Sequence, residues 1–114
     1  MKNRYIVTPK DKRAEELLDF NEAGDHDLIQ LVLSDSQFYQ LDAFGVFSDL
    51  NNMLGCLIDD FEDDAITNKQ QLEEGLKYLK NVRLKDDRIQ ELMEEIISLF
   101  EEAVKKETGV YFFF

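Results

Sequence analysis

The sequence predicts a mainly helical single domain, residues 1–114, with a small two-stranded sheet made by its N- and C-terminal strands. Three observations predict it. Apolar residues recur at three- and four-residue steps through most of the second half, the signature of amphipathic helices. Short apolar runs of strand character stand near both ends, Tyr5-Ile6-Val7-Thr8 and Val110-Tyr111-Phe112-Phe113-Phe114. The 114 residues, 44% of them hydrophobic, suffice for one packed core without a linker.

Taken in order, Tyr5–Thr8 reads as a strand stopped by Pro9. From Lys10 to Ala23, the positions Ala14, Leu17, Leu18 and Phe20 fit a short amphipathic helix closed by Gly24. Asp25 is placed to cap the next segment, Leu28-Ile29-Gln30-Leu31-Val32-Leu33, which is apolar on nearly every side. Periodicity does not separate a buried helix from a buried strand there, and helix is the favoured reading. Ser34-Asp35-Ser36 then caps a short helical piece with Phe38, Tyr39, Leu41 and Phe44, before Gly45.

From Val46 to about Asp63 a single helix is expected, because Phe47, Leu50, Met53, Leu54, Leu57, Ile58 and Phe61 mark one stripe. Thr67 or Asn68 caps a helix carrying Leu72, Leu76 and Leu79. The last helix buries Ile89, Leu92, Met93, Ile96, Ile97, Phe100, Ala103 and Val104. Asp86 and Asp87 stand at its positive end, Lys105 and Lys106 at its negative end, and Gly109 just beyond. An exposed aromatic tail would be an aggregation hazard, so residues 110–114 are expected to pair with residues 5–8 and bury their rings.

The net charge is −12, from 13 Lys and Arg against 25 Asp and Glu. Residues 1–13 carry five bases and one acid, residues 69–114 eight bases and ten acids. Residues 14–68 carry fourteen acids and no Lys or Arg. This segregation is the main functional signal in the chain. It argues against nucleic acid or an anionic membrane as partner, since both would be repelled. No signal-peptide core follows the basic start, and no run of roughly 18 apolar residues offers a membrane span. The single cysteine, Cys56, forms no internal disulfide, so a reducing cytoplasm is the expected location.

The densest acidic cluster is Asp59-Asp60-Phe61-Glu62-Asp63-Asp64, placed at the unfavourable C-terminal end of the expected helix. Its spacing formally matches the D-D-x-x-D magnesium motif of isoprenyl diphosphate enzymes, but 114 residues are too few for that cavity. An all-α Mg²⁺-dependent nucleotide pyrophosphohydrolase is the fairer enzymatic reading, with Glu91 and Glu94 as one pair and Glu62 from another helix. His26, between Asp25 and Asp27, is poorly placed as a general base, and Cys56 reads as a small core residue. The five glycines are isolated, so no phosphate-cradling loop is present. No catalytic residue, cofactor or metal is expected, and the chain reads as a binding protein.

The binding reading uses more of the sequence. On the expected helix Asp49, Asn52, Cys56, Asp59 and Asp63 form a stripe away from the core with Asp60 beside it, and Gly55 in its middle suggests close backbone packing or a partner's approach. Asp35, Asp42 and Tyr39 lie nearby in sequence, tyrosine being a residue type enriched at interface hot spots. The expected partner-binding residues are therefore Asp59, Asp60, Glu62, Asp63 and Asp64, flanked by Asp49, Asp42 and Tyr39. An acidic surface with embedded aromatics attracts a cationic one and speeds association.

A small acidic domain in which Gly45-Val46-Phe47-Ser48-Asp49-Leu50-Asn51-Asn52 leads into Leu57-Ile58-Asp59-Asp60-Phe61-Glu62-Asp63 resembles bacterial immunity proteins of contact-dependent growth inhibition and related polymorphic toxin systems. The resemblance spans roughly residues 38–81. It implies tight binding to one cognate toxin domain, often a DNase or RNase, whose active site is occluded. The same residues serve an acidic adaptor or nucleic-acid mimic directed at another basic protein.

Overall fold

The computed structural model describes residues 3–114. In chain order they form β1 (Arg4–Pro9), α1 (Lys12–Asp19), a 3-10 turn (Asp25–Asp27), β2 (Leu28–Leu33), α2 (Asp35–Ala43), α3 (Val46–Leu54), β3 (Asp63–Ile66), α4 (Lys69–Asn81), α5 (Asp87–Lys106) and β4 (Val110–Phe113). The strands make one antiparallel sheet in the order β2-β1-β4-β3. This corrects the expectation of a mainly helical domain with a two-stranded terminal sheet. The terminal strands are paired, Tyr5 opposite Phe113 and Val7 opposite Tyr111, but as the inner pair of four. Two strands from inside the sequence, β2 and β3, complete the sheet on either side.

The first of these, β2, replaces an expected helix, and the second, β3, begins where the helix expected from Val46 was to end. Leu28–Leu33 has the length of a strand, contains β-branched Ile29 and Val32, and is bounded by the 3-10 turn and the Ser34 cap. Pairing with β1 runs over its whole length, from Leu33 opposite Arg4 to Leu28 opposite Pro9. The turn before it is held by Asp27, whose carboxylate accepts the Gly24 N–H at 3.0 Å, and not by Asp25.

The helix expected from Val46 to Asp63 stops at Leu54. Gly55 takes the left-handed conformation, φ 67°, and its N–H donates to the Asn51 carbonyl, the usual way to end a helix. The Asn51 side chain then seizes the departing chain: Nδ2 donates to the Ile58 carbonyl at 2.8 Å and Oδ1 accepts the Ile58 N–H at 2.7 Å. The apolar stripe breaks there. Ile58 is buried, but Leu57 and Phe61 are 74% and 79% exposed. A glycine at position 109 lets β3 approach β4, since a Cβ there would lie 2.8 Å from Thr67 Cγ2 and 2.9 Å from the Ile66 carbonyl oxygen.

The remaining helices start where their caps are. Ser34 and Gln37 bond each other's backbone N–H at the head of α2, Asn68 accepts the Gln71 N–H on α4, and Asp86 accepts those of Arg88 and Ile89 on α5. Helix α1 is shorter than expected, ending at Asp19.

Strand alternation gives the sheet two faces. Ile6, Thr8, Leu33, Ile66, Val110 and Phe112 face inward with the buried row Ile89, Met93, Ile96 and Phe100 of α5. Thr8 Oγ1 donates to the Leu99 carbonyl and fastens β1 to that helix. Phe114 joins Phe38, Phe47 and Phe112 in a ring cluster with centroids 5.1–5.7 Å apart, so two rings of the aromatic tail are core, while Tyr111 and Phe113 are half-buried on the other face. On the other face α1 lies against β1, and Tyr111 donates to Glu15 at 3.0 Å. Among the described residues no helix is long and apolar enough to cross a membrane.

Candidate protein-binding site

The acidic loop is set in place by a buried cation. Arg4, the first residue of β1, points to the inner face, and its residue is only 1% exposed. A guanidinium in such a position must be paired, because desolvating a lone charge is prohibitive. Asp60 accepts from Nε at 3.0 Å and Nη2 at 2.8 Å, a two-pronged bond, and Asp35 of α2 accepts from Nη1. Burial alone would lower the arginine pKa, but the bonds to Asp35 and Asp60 and their charges outweigh it and hold it above its ordinary value. The cation also lies 4.3 Å from the centre of the Phe38 ring and 5.2 Å from that of Tyr39. Tyr39 completes the ring of bonds by donating to Asp60 Oδ2 at 3.3 Å.

The expected site residues thus divide. Asp60 is half-buried and engaged by Arg4 and Tyr39. Asp64 accepts the N–H groups of Leu57 at 2.6 Å and Ala65 at 2.8 Å, so it braces the loop from β3. Asp59, Glu62 and Asp63 are exposed; Asp59 also accepts the Asp60 N–H. Tyr39, 53% exposed, and exposed Asp42 share a face of α2 with Asp35, at four- and three-residue steps. The structure brings Tyr39 to this loop. Asp49 is directed elsewhere: it sits on α3 and accepts the Tyr78 hydroxyl of α4 at 2.5 Å. Burial first, and then that carboxylate, push the Tyr78 pKa upward.

The stripe of Asp49, Asn52, Cys56, Asp59 and Asp63 expected on one helix does not exist, because the helix ends at Leu54. Gly55 is a cap with open space around it, not a point of close packing. Cys56 lies in the loop, half-buried, and burial followed by the charge of Asp64 raises its thiol pKa. In its place is a surface of another kind, in which exposed Leu57, Phe61 and Tyr39 are set among Asp59, Glu62, Asp63 and Asp42. Phe61 is held there by a left-handed backbone, φ 63°, whose N–H donates to the Phe114 carbonyl at 3.0 Å.

Arg4 is the residue of this candidate site that the sequence did not single out, and Asp35, expected beside Asp42 and Tyr39, takes its place by pairing with it. The signal was alternation: Arg4 is two residues before Ile6, on the inward side of a strand whose expected start was Tyr5. Among the described residues no three His, Cys, Asp or Glu side chains converge as a metal-holding group, Glu62, Glu91 and Glu94 included.

No protein-family model and no curated protein matches the chain. A solved structure is similar over its whole length: the Neisseria DNA mimic protein DMP12, with a TM-score of 0.69, 18% identity, and coverage of 99% of this chain and 100% of that one. At that identity the likeness shows a shared fold.

Proposed function

We propose that this chain is an acidic binding protein that covers the nucleic-acid-binding surface of a basic partner, acting by occupation and not by catalysis. The observation that carries the reading is the acid-only stretch, residues 14–68, and its display. It supplies both outer strands of the sheet, α2, α3 and the loop with Asp59, Glu62 and Asp63 exposed around Leu57, Phe61 and Tyr39. Carboxylates presented on a rigid surface can stand where phosphates stand on DNA, and the apolar side chains supply affinity that charge alone does not. Arg4 serves this surface by consuming a positive charge inside the protein while fixing the loop that carries the negative ones. The shared fold with a protein named as a DNA mimic supports the reading. A nuclease toxin neutralised by an immunity protein is one partner of this chemistry; the acidic surface serves it and any other DNA-binding protein equally.

The test is competition. The immobilised protein should retain a basic protein from a lysate of its source, and duplex DNA should displace it. The triple variant Asp59→Lys, Glu62→Lys, Asp63→Lys should bind that partner about ten- to a hundredfold more weakly, with a shallower salt dependence. Retention that neither DNA nor the triple variant weakens would discard the mimic reading. Turnover of nucleoside triphosphates with Mg²⁺ would restore the enzymatic one.

A further inference from the structure

Among the described residues no strand pairs with the outer side of β2, which is the edge of the sheet. Its six residues, Leu28-Ile29-Gln30-Leu31-Val32-Leu33, contain no charge and no proline, and Ile29 and Val32 are 38% and 46% exposed. Beside it runs a groove of about 230 Å³ between β2 and α5, floored by Ile29, Leu31 and Leu99 and walled by Glu95 and Glu102. Glu95, Leu99 and Glu102 are one stripe of α5, at steps of four and three, with the two carboxylates about 10 Å apart along the axis. An apolar floor between two carboxylates, next to the edge strand of the sheet, matches a specific kind of occupant.

We propose that this edge receives an extended segment of the partner in which apolar residues alternate with Lys or Arg, and that the segment adds to the sheet as a fifth strand. Backbone hydrogen bonds to β2 would hold it. Its side chains alternate between the two faces: the cations lie on the groove side, their aliphatic stems over Leu99 and their charges on Glu95 and Glu102, and the apolar ones continue the row of Val32 and Tyr5 on the opposite face. Charge complementarity selects this occupant over a second copy of the chain, which would bring together two bodies of net charge −12. The inference rests on the reading of the partner as basic and names where an extended arm of it docks.

The probe is a synthetic hexapeptide of alternating arginine and valine, titrated into the full-length protein and followed by amide hydrogen exchange and NMR shifts. Alternate β2 amides should gain protection, and signals of Ile29, Leu31 and Leu99 should move. Glu95→Lys with Glu102→Lys should weaken the peptide about tenfold or more, while the exchange of β1 and β4 amides stays unchanged. Peptide shifts confined to residues 57–64 would overturn the edge site and leave the mimic reading standing. Absence of binding, or an affinity the double reversal leaves unchanged, would likewise overturn the edge site. Protection of β2 that grows with protein concentration alone would assign the edge to a second copy and overturn the proposal.

Discussion

β2 and β3 are the two outer strands of one sheet, both drawn from the stretch without Lys or Arg, yet they are built differently. β3 is four residues long and begins Asp63-Asp64. Its first carboxylate is exposed at the edge, and its second turns back to hold the loop before it. Short length and charge are the usual ways of keeping a sheet edge from pairing with strangers. β2 has six residues, no charge, and two exposed β-branched side chains. Of the fourteen acids of that stretch, two stand on β3 and none on β2, so one edge is guarded by charge and the other is bare.

The largest effect is expected from the residue on which both sides depend. Phe112 is fully buried and lies opposite Ile6 on one side and Asp64 on the other. Phe112→Ala should cost about 3–5 kcal/mol, measured by urea unfolding. Next comes the tie between the two sides: Arg4, opposite Leu33 of β2, reaches across to Asp60 in the loop before β3. Arg4→Met should cost about 1–3 kcal/mol, less than a deeply buried pair because both carboxylates keep some access to water. A double-mutant cycle with Asp60→Asn checks it by recovering most of that loss as coupling.

Gly109→Ala should act on one side only. Its Cβ would press on Thr67 and the Ile66 carbonyl, so about 1–3 kcal/mol is expected, with faster amide exchange in β3 and unchanged exchange in β2. A pH effect follows from Tyr111, beside β3, whose pKa is raised by burial and then by Glu15. A group held protonated by the fold stabilises it below the unfolded-state value near 10 and withdraws that stability as pH rises above it. Alkaline unfolding should therefore begin above about pH 10, and Tyr111→Phe should flatten it. The smallest effect is expected at the bare edge. Val32→Lys should change stability by no more than about 0.5 kcal/mol, while abolishing any retention of the arginine–valine peptide.

How far the sequence could be read depended on where its local signals were unambiguous. Helix α5 carried a cap, spacing and charge that all agreed, α4 a cap and spacing, and the terminal strands their apolar runs. Leu28–Leu33 was illegible as a strand because a continuous apolar run has no period, and only its pairing with β1 decides it. The error from Val46 to Asp63 lay in one residue. Gly55 fits a helix interior at a cost of about 1 kcal/mol, but its left-handed backbone ends the helix, and Asn51 then bonds the loop. For the site, composition pointed to the acidic stretch but not to its internal division. That Asp60 serves Arg4 and Tyr39 depends on partners 56 and 21 residues away along the chain, and that Asp64 holds the Leu57 N–H depends on the loop being folded back, while Asp59, Glu62 and Asp63 stay exposed.

The central pairing of the sheet has a consequence for synthesis. Residues 5–7 are joined to residues 111–113, so β1 waits for nearly the whole described chain before it gains that neighbour. Until β4 has emerged, β3 has no strand beside it, and the Phe61 N–H lacks the Phe114 carbonyl that positions it. A nascent chain is therefore acidic long before it is shaped. Stalled before residue 110, it should show no protection in residues 63–66, and the surface proposed to meet a partner takes shape only once β4 has been made.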